Sequence, residues 1–265
     1  MSATTHTTPA SSLSAAGILN SEWIKLRSVR SPAWSFAIAI LVTVGFAALL
    51  SIPLGDETVM DTSDAATALG NYATIGVQFS QIVVAVLGVL VITGEYSTGM
   101  IRSTLSAVPG RFGALAGKGV VLFLTTFVVS VVASIFAFGV SSAMFVSRDV
   151  SASILDEKVA LPILGGALYL ALLSLFALGI GTILRSGAGG IATVLGVLLL
   201  LPVLLAFIPF DWAADVAPFL FSNAGIAFWH PESSDWEWWQ NLLVTIGWVV
   251  ASLGIGAALL RRRDA

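Results

Sequence analysis

Six runs of about 20 residues with almost no charge dominate the chain, at about 33–52, 75–93, 119–146, 162–184, 190–209 and 241–260. Wound as a helix at 1.5 Å per residue, about 20 apolar residues cross a hydrocarbon core of about 30 Å. A barrel strand would instead alternate in polarity over about ten residues. The pattern therefore predicts an all-α integral membrane protein with six transmembrane helices. Composition closes off a soluble alternative. Of 265 residues, 57% are hydrophobic and 10% charged, against roughly 45–50% and 25% in soluble domains. A soluble fold of this size still leaves roughly a quarter of its unfolded surface in water. Pro32 and Pro162 stand where helices are expected to start and Pro209 where one ends. The third run is long enough to tilt or to extend beyond the bilayer.

Charge sets the expected orientation. With six spans and the N-terminus inside, ten of the twelve basic residues fall on the cytoplasmic side, leaving Arg148 and Lys158 outside. Twelve of the fifteen acids fall outside; Glu22, Glu95 and Asp264 fall inside. That asymmetry obeys the positive-inside rule and places both termini in the cytoplasm. Residues 1–14 are rich in Ser, Thr and Ala with no basic n-region, and read as a disordered, uncleaved tail. Residues 15–265 then form a single six-helix transmembrane domain. From Ala15 to Arg30, Leu19, Trp23 and Leu26 recur at helical spacing with Ile18 and Val29 beside them. Ser21, Lys25 and Ser28 lie opposite, while Glu22 and Ile24 sit on the wrong sides. The pattern predicts an amphipathic helix in the membrane interface, with Trp23 at headgroup depth.

Searches for catalysis return little. With no cysteine, thiolate metal sites and cysteine nucleophiles are excluded. His6 and His230 are the two histidines, and neither belongs to an HExxH or GxSxG pattern. Residues Gly113 to Gly119 mimic a phosphate loop but have one residue too few between the glycines and lack the Ser or Thr after Lys118. Gly113 and Gly117 read instead as a GxxxG helix-packing step, with Lys118 marking the inner end of span three. No catalytic residue, resident metal, cofactor or nucleic-acid partner is expected.

The segment Gly94–Arg111 between spans two and three is too patterned for a bare turn. Ile101 and Leu105 are one helical turn apart and Pro109 ends the element. The expectation is a short helix presented to the cytosol, either a connector on lipid headgroups or a docking element for a partner.

Two stretches resemble a known family. Glu22-Trp23-Ile24-Lys25-Leu26-Arg27-Ser28-Val29-Arg30-Ser31 is similar to the opening of actinobacterial ABC-2 type transporter permeases. Leu87–Gly99, followed by Ile101-Arg102-Ser103-Thr104-Leu105 and Val108-Pro109, resembles that family's second signature. Gly110 departs from the pattern where a further basic residue is expected, and Phe221 stands where a proline commonly precedes Ser-Asn-Ala-Gly. The resemblance implies a multi-pass permease of the plasma membrane, paired with a second permease copy as a homodimer or heterodimer and contacting membrane lipid. It further implies a separate cytosolic ABC ATPase subunit, in which ATP and Mg would be used. That subunit would dock on Glu95, Tyr96, Ser97, Thr98, Ile101, Arg102, Thr104 and Leu105. A connecting helix would carry Glu22, Trp23, Lys25, Leu26, Arg27 and Arg30.

Thr74, Gln78 and Gln81 share one face of span two, as helix–helix hydrogen bonders or as the lining of a cavity at a dimer interface. Glu95 is expected to pair with Arg102 or with the basic N-terminal helix. The outer segment Phe210–Gln240 holds Trp212, Trp229, Trp236, Trp238 and Trp239. These fit an aromatic belt, re-entrant or interfacial helices, or a saccharide site. Few charges in the spans point to export of a hydrophobic or amphipathic cargo such as a lipid, drug or peptide antibiotic. A non-transporting membrane scaffold or immunity protein is the alternative, and an intramembrane enzyme is disfavoured because the spans hold almost no ionisable groups.

Overall fold

A computed structural model describes residues 14–52, 65–107, 111–145, 151–230 and 233–262. Twelve α-helices follow one another among them: α1 (Ala15–Ser28), α2 (Arg30–Leu50), α3 (Ala65–Thr74), α4 (Val77–Ser97), α5 (Met100–Ala107), α6 (Arg111–Phe145), α7 (Glu157–Leu184), α8 (Gly187–Leu195), α9 (Leu201–Ala206), α10 (Asp211–Val216), α11 (Phe221–Ala227) and α12 (Trp238–Arg262). The described residues contain no strand. Six stretches are long and apolar enough to cross a membrane: α2, α3 with α4, α6, α7, α8 through α9, and α12. The chain is thus a multi-pass helical membrane protein by length and composition.

Four boundaries depart from the sequence expectation, each for a physical reason. Span two begins ten residues early, because Ala65–Thr74 forms α3; its small and polar residues hid it from a hydropathy reading. The chain breaks between α3 and α4 at Ile75–Gly76, where a Cβ on Gly76 would lie 2.5 Å from the backbone of Thr43 in α2. Span three begins at Arg111, so α6 runs 35 residues, about 52 Å at 1.5 Å per residue. Pro162 does not open its helix: α7 starts at Glu157, capped by the Asp156 carboxylate accepting from the Lys158 N–H at 3.0 Å. Span five is not uniformly α-helical. Residues Gly196–Leu200 widen into a π-turn in which the Leu201 N–H donates to the Gly196 carbonyl. That widening sits just before Pro202, which has no N–H to give.

α7 is the central post, packed against α3, α4, α6 and α12. Leu170, Leu173, Phe176 and Leu178 on it are fully buried. Lipid tails are as apolar as leucine, so helices here associate through close packing rather than exclusion from water. Gly88 of α4 illustrates it: an added Cβ would lie 2.6 Å from the Ser174 carbonyl and 2.7 Å from the Ala177 Cβ. By contrast α2 and α8–α9 turn most of their side chains outward, Trp34, Leu41 and Leu200 among them.

Candidate functional site: a buried ionic junction

At one end of the bundle three helices bring four charges together. Lys118, in the third turn of α6, is 6% exposed, and Glu95, near the end of α4, is 3% exposed. The Lys118 ammonium donates to Glu95 Oε1 at 2.8 Å and to Glu22 Oε2 of α1 at 2.6 Å. Lys25, one turn beyond Glu22, donates to Glu22 Oε1 at 2.6 Å and Glu95 Oε1 at 3.3 Å. Its third donor bond, 3.0 Å long, goes to the Thr104 hydroxyl on α5. Two acids and two bases thereby cancel in a nearly dry site, as a buried charge requires. Burial works against the Lys25 charge, but the hydrogen bond to Glu22 and the charges of Glu95 and Glu22 outweigh it and hold its pKa above 10.5.

The local sequence explains the approach of α1 to α6. Gly117 leaves room for Ile18, whose Cγ2 would stand 2.6 Å from a Cβ at that position. Ser14 caps α1 by accepting from the Gly17 N–H at 3.0 Å. Thr98 and Ser97 return their hydroxyls to the Gly94 carbonyl at 2.8 and 3.0 Å, closing α4. Gly99, at φ +73°, then turns the chain into α5, a conformation that favours glycine. Ile101 is buried with Leu115, Leu122 and Leu260, so α5 lies down on the bundle and leaves Arg102, Ser103 and Ser106 exposed. Arg111 donates to the Leu260 carbonyl at 2.6 Å, which brings the end of α12 to this same end of the molecule. Arg185, a left-handed residue capping α7, sets its guanidinium 5.2 Å from the centre of the Tyr96 ring.

Several expectations change here. Glu95 does not pair with Arg102, which is exposed; of the two partners considered, the N-terminal helix supplies one through Lys25. Glu22 and Lys25 turn inward, whereas Trp23 and Ile24 are exposed, so the outward face of α1 is not the Lys25 side. The reason is Lys118: a cation buried in α6 draws both acids to itself. In the sequence Lys118 reads as an inner-end cation, and hydropathy does not distinguish a buried lysine from an exposed one. Arg27 and Arg30 are exposed, and Leu26 is half-buried. Ile101, expected on a docking surface, is covered by the bundle. Leu105 lies in α5, and the expected stop at Pro109 lies outside the described residues, as do His6 and residues 1–13.

Thr74 and Gln81 face the interior of the bundle, being 0% and 5% exposed, and of the three Gln78 alone reaches toward the surface. Gln81 Oε1 accepts from the Tyr169 hydroxyl at 2.6 Å, which ties α4 to α7. Thr74 gives its hydroxyl to the Gly70 carbonyl at 2.9 Å. Of the two readings of that face, hydrogen bonding between helices fits Gln81; an intermolecular cavity does not fit either buried residue.

At the opposite end, residues 217–228 dip back into the bundle. The Trp248 indole N–H donates to the Phe219 carbonyl at 2.8 Å, ten residues into α12. Phe221 stacks on Phe176 with ring centres 4.7 Å apart. Gly225 sits on Tyr169, where an added Cβ would lie 2.3 Å from Cε2. α11 is therefore packed against the middle of α7. Trp212, Trp238 and Trp239 are exposed, while Trp229 is buried against Gly165. Among the described residues no His, Asp and Glu cluster could hold a metal ion.

No protein-family model matches the chain, and no curated protein matches it. Fold and site together define a polytopic helical membrane protein with a buried ionic junction at one end.

Proposed function

We propose that this chain is the membrane-spanning permease subunit of an ATP-driven, ABC-2 type exporter in the plasma membrane. It works with a second permease copy, and a separate cytosolic ATPase binds and hydrolyses ATP with Mg. The ionic junction carries this reading. A helix following span two is laid across the bundle end with its polar face exposed, and its Thr104 is tied by Lys25 to two acids buried among α1, α4 and α6. A partner that moved α5 would therefore move three helices together. The two signatures read from the sequence fall on the elements that meet there: the first on α1 and the start of α2, the second on α4 and α5. Closure of the ATPase pair around nucleotide would shift the bundle between two states for which nucleotide has different affinity. The cargo fits a hydrophobic or amphipathic molecule, because the spans carry few charges.

The test is purification of the tagged chain from its native membrane, followed by assay for vanadate-sensitive ATP hydrolysis. Copurifying activity that vanishes with Arg102→Glu and with deletion of 97–106 is expected. Absence of an ATPase beside an intact six-helix chain would overturn the permease reading in favour of a non-transporting scaffold.

A further inference from the structure

A cavity of about 280 Å³ opens beside the junction, between α1, the start of α2, α4 and α6. Its walls share one polarity gradient. On α4 the lining passes from Leu87, Leu90 and Val91 to Glu95 and Ser97; on α6 it passes from Leu122 and Val121 to Lys118. Leu87 to Glu95 is eight residues, about 12 Å along a helix. The apolar end thus lies within two membrane-spanning helices and the charged end at their termini. Exposed Val29 and Met100 form the rim. The volume falls just below that of ligand pockets, about 300–1,000 Å³, and suits part of one acyl chain rather than a whole lipid.

We infer that this cavity is a binding site for a membrane amphiphile whose head donates hydrogen bonds, a primary-amine lipid such as phosphatidylethanolamine, with one acyl chain between α4 and α6. The head's chemistry follows from the junction. Glu95 Oε2 is buried and has no hydrogen-bond partner among the described residues, so the network has one acceptor more than it uses. Lys25, the most exposed member of the four, holds Glu95 by its longest bond, 3.3 Å. Lys25 and Lys118 both donate to the other oxygen, Oε1; an amine at the head of the cavity bonds Oε2 instead, which a rotation of the carboxylate brings toward it, and supplies the missing donor. A quaternary ammonium of the same size has no proton to give. The inference stands on the cavity and the orphaned carboxylate, independently of any ATPase.

Gly94 provides the means of testing it. It lines the cavity, and a Cβ built on it meets no atom within 4 Å. Gly94→Leu should therefore fill the cavity while favouring the helix. Native mass spectrometry of the full chain in detergent, with phosphatidylethanolamine or phosphatidylcholine of identical acyl chains, reads the occupancy. The amine lipid should be retained about tenfold over the choline lipid, the scale of one hydrogen bond to a charged group, and Gly94→Leu should abolish that preference. Equal retention of both lipids, or a preference that survives Gly94→Leu in protein with unchanged Tm, overturns the proposal.

Discussion

The two ends of the bundle are held by opposite means. One joins α1, α4, α5 and α6 through four charges around Lys118. The other anchors α11 on α7 and α12 through stacked rings, a glycine seat and the Trp248–Phe219 hydrogen bond. Aromatic packing is short-ranged and indifferent to charge. A buried ion cluster is different: complete it is near break-even, but with one member removed it leaves an uncompensated charge. The aromatic end is therefore built to stay, whereas the ionic end changes stability sharply when one partner moves. A connection that transmits motion belongs at the second kind of end.

Breaking the comparison at its strongest point gives the largest effect. Lys118→Met leaves Glu22 and Glu95 sharing Lys25 alone, one buried negative charge uncompensated, and should destabilise the chain by about 3–5 kcal/mol, measured by denaturant unfolding in detergent. Adding Glu22→Gln to that variant should recover part of the loss, since it restores one acid to one base. At the aromatic end Gly225→Ala presses on Tyr169 and should cost about 1–3 kcal/mol, with no change in salt dependence. Tyr169→Phe removes the donor to Gln81 and should cost about 0.5–2 kcal/mol, read as a Tm shift. Smallest is the response to salt. Raising it to about 1 M should weaken the ionic end by less than about 1 kcal/mol through half-buried Lys25, leaving the Gly225 variant's response unaltered. Lys25 has a folded pKa above its unfolded 10.5, so its stabilisation is fully present below pH 10.5 and is lost only as pH climbs through the higher value.

Span count, the N-terminal helix and the helix after span two were legible because each rests on hydropathy or periodicity, which single sequences carry. The junction was half legible. Glu95 stood out as an acid on the basic side, but Lys118 looked like every other inner-end cation, and only tertiary packing against Gly117 shows that α1 closes over it. α3 escaped notice because Ala, Gly, Asn and Thr give no long apolar run. The π-turn before Pro202 leaves no hydropathy trace at all. The seat of α11 was not legible, because it is set by Phe221 and Gly225 meeting Phe176 and Tyr169, a pairing over 45 or more residues.

The central claim is that the junction fastens α5 to the bundle, and hydrogen–deuterium exchange tests it most directly. Lys25→Met removes the bond to Thr104 while leaving Lys118 between its two acids. Exchange across 100–107 should then rise about tenfold, the scale of one such bond, with 221–227 unchanged. Unaltered protection of 100–107 in Lys25→Met would contradict the account, because α5 would then be held by its buried apolar face alone.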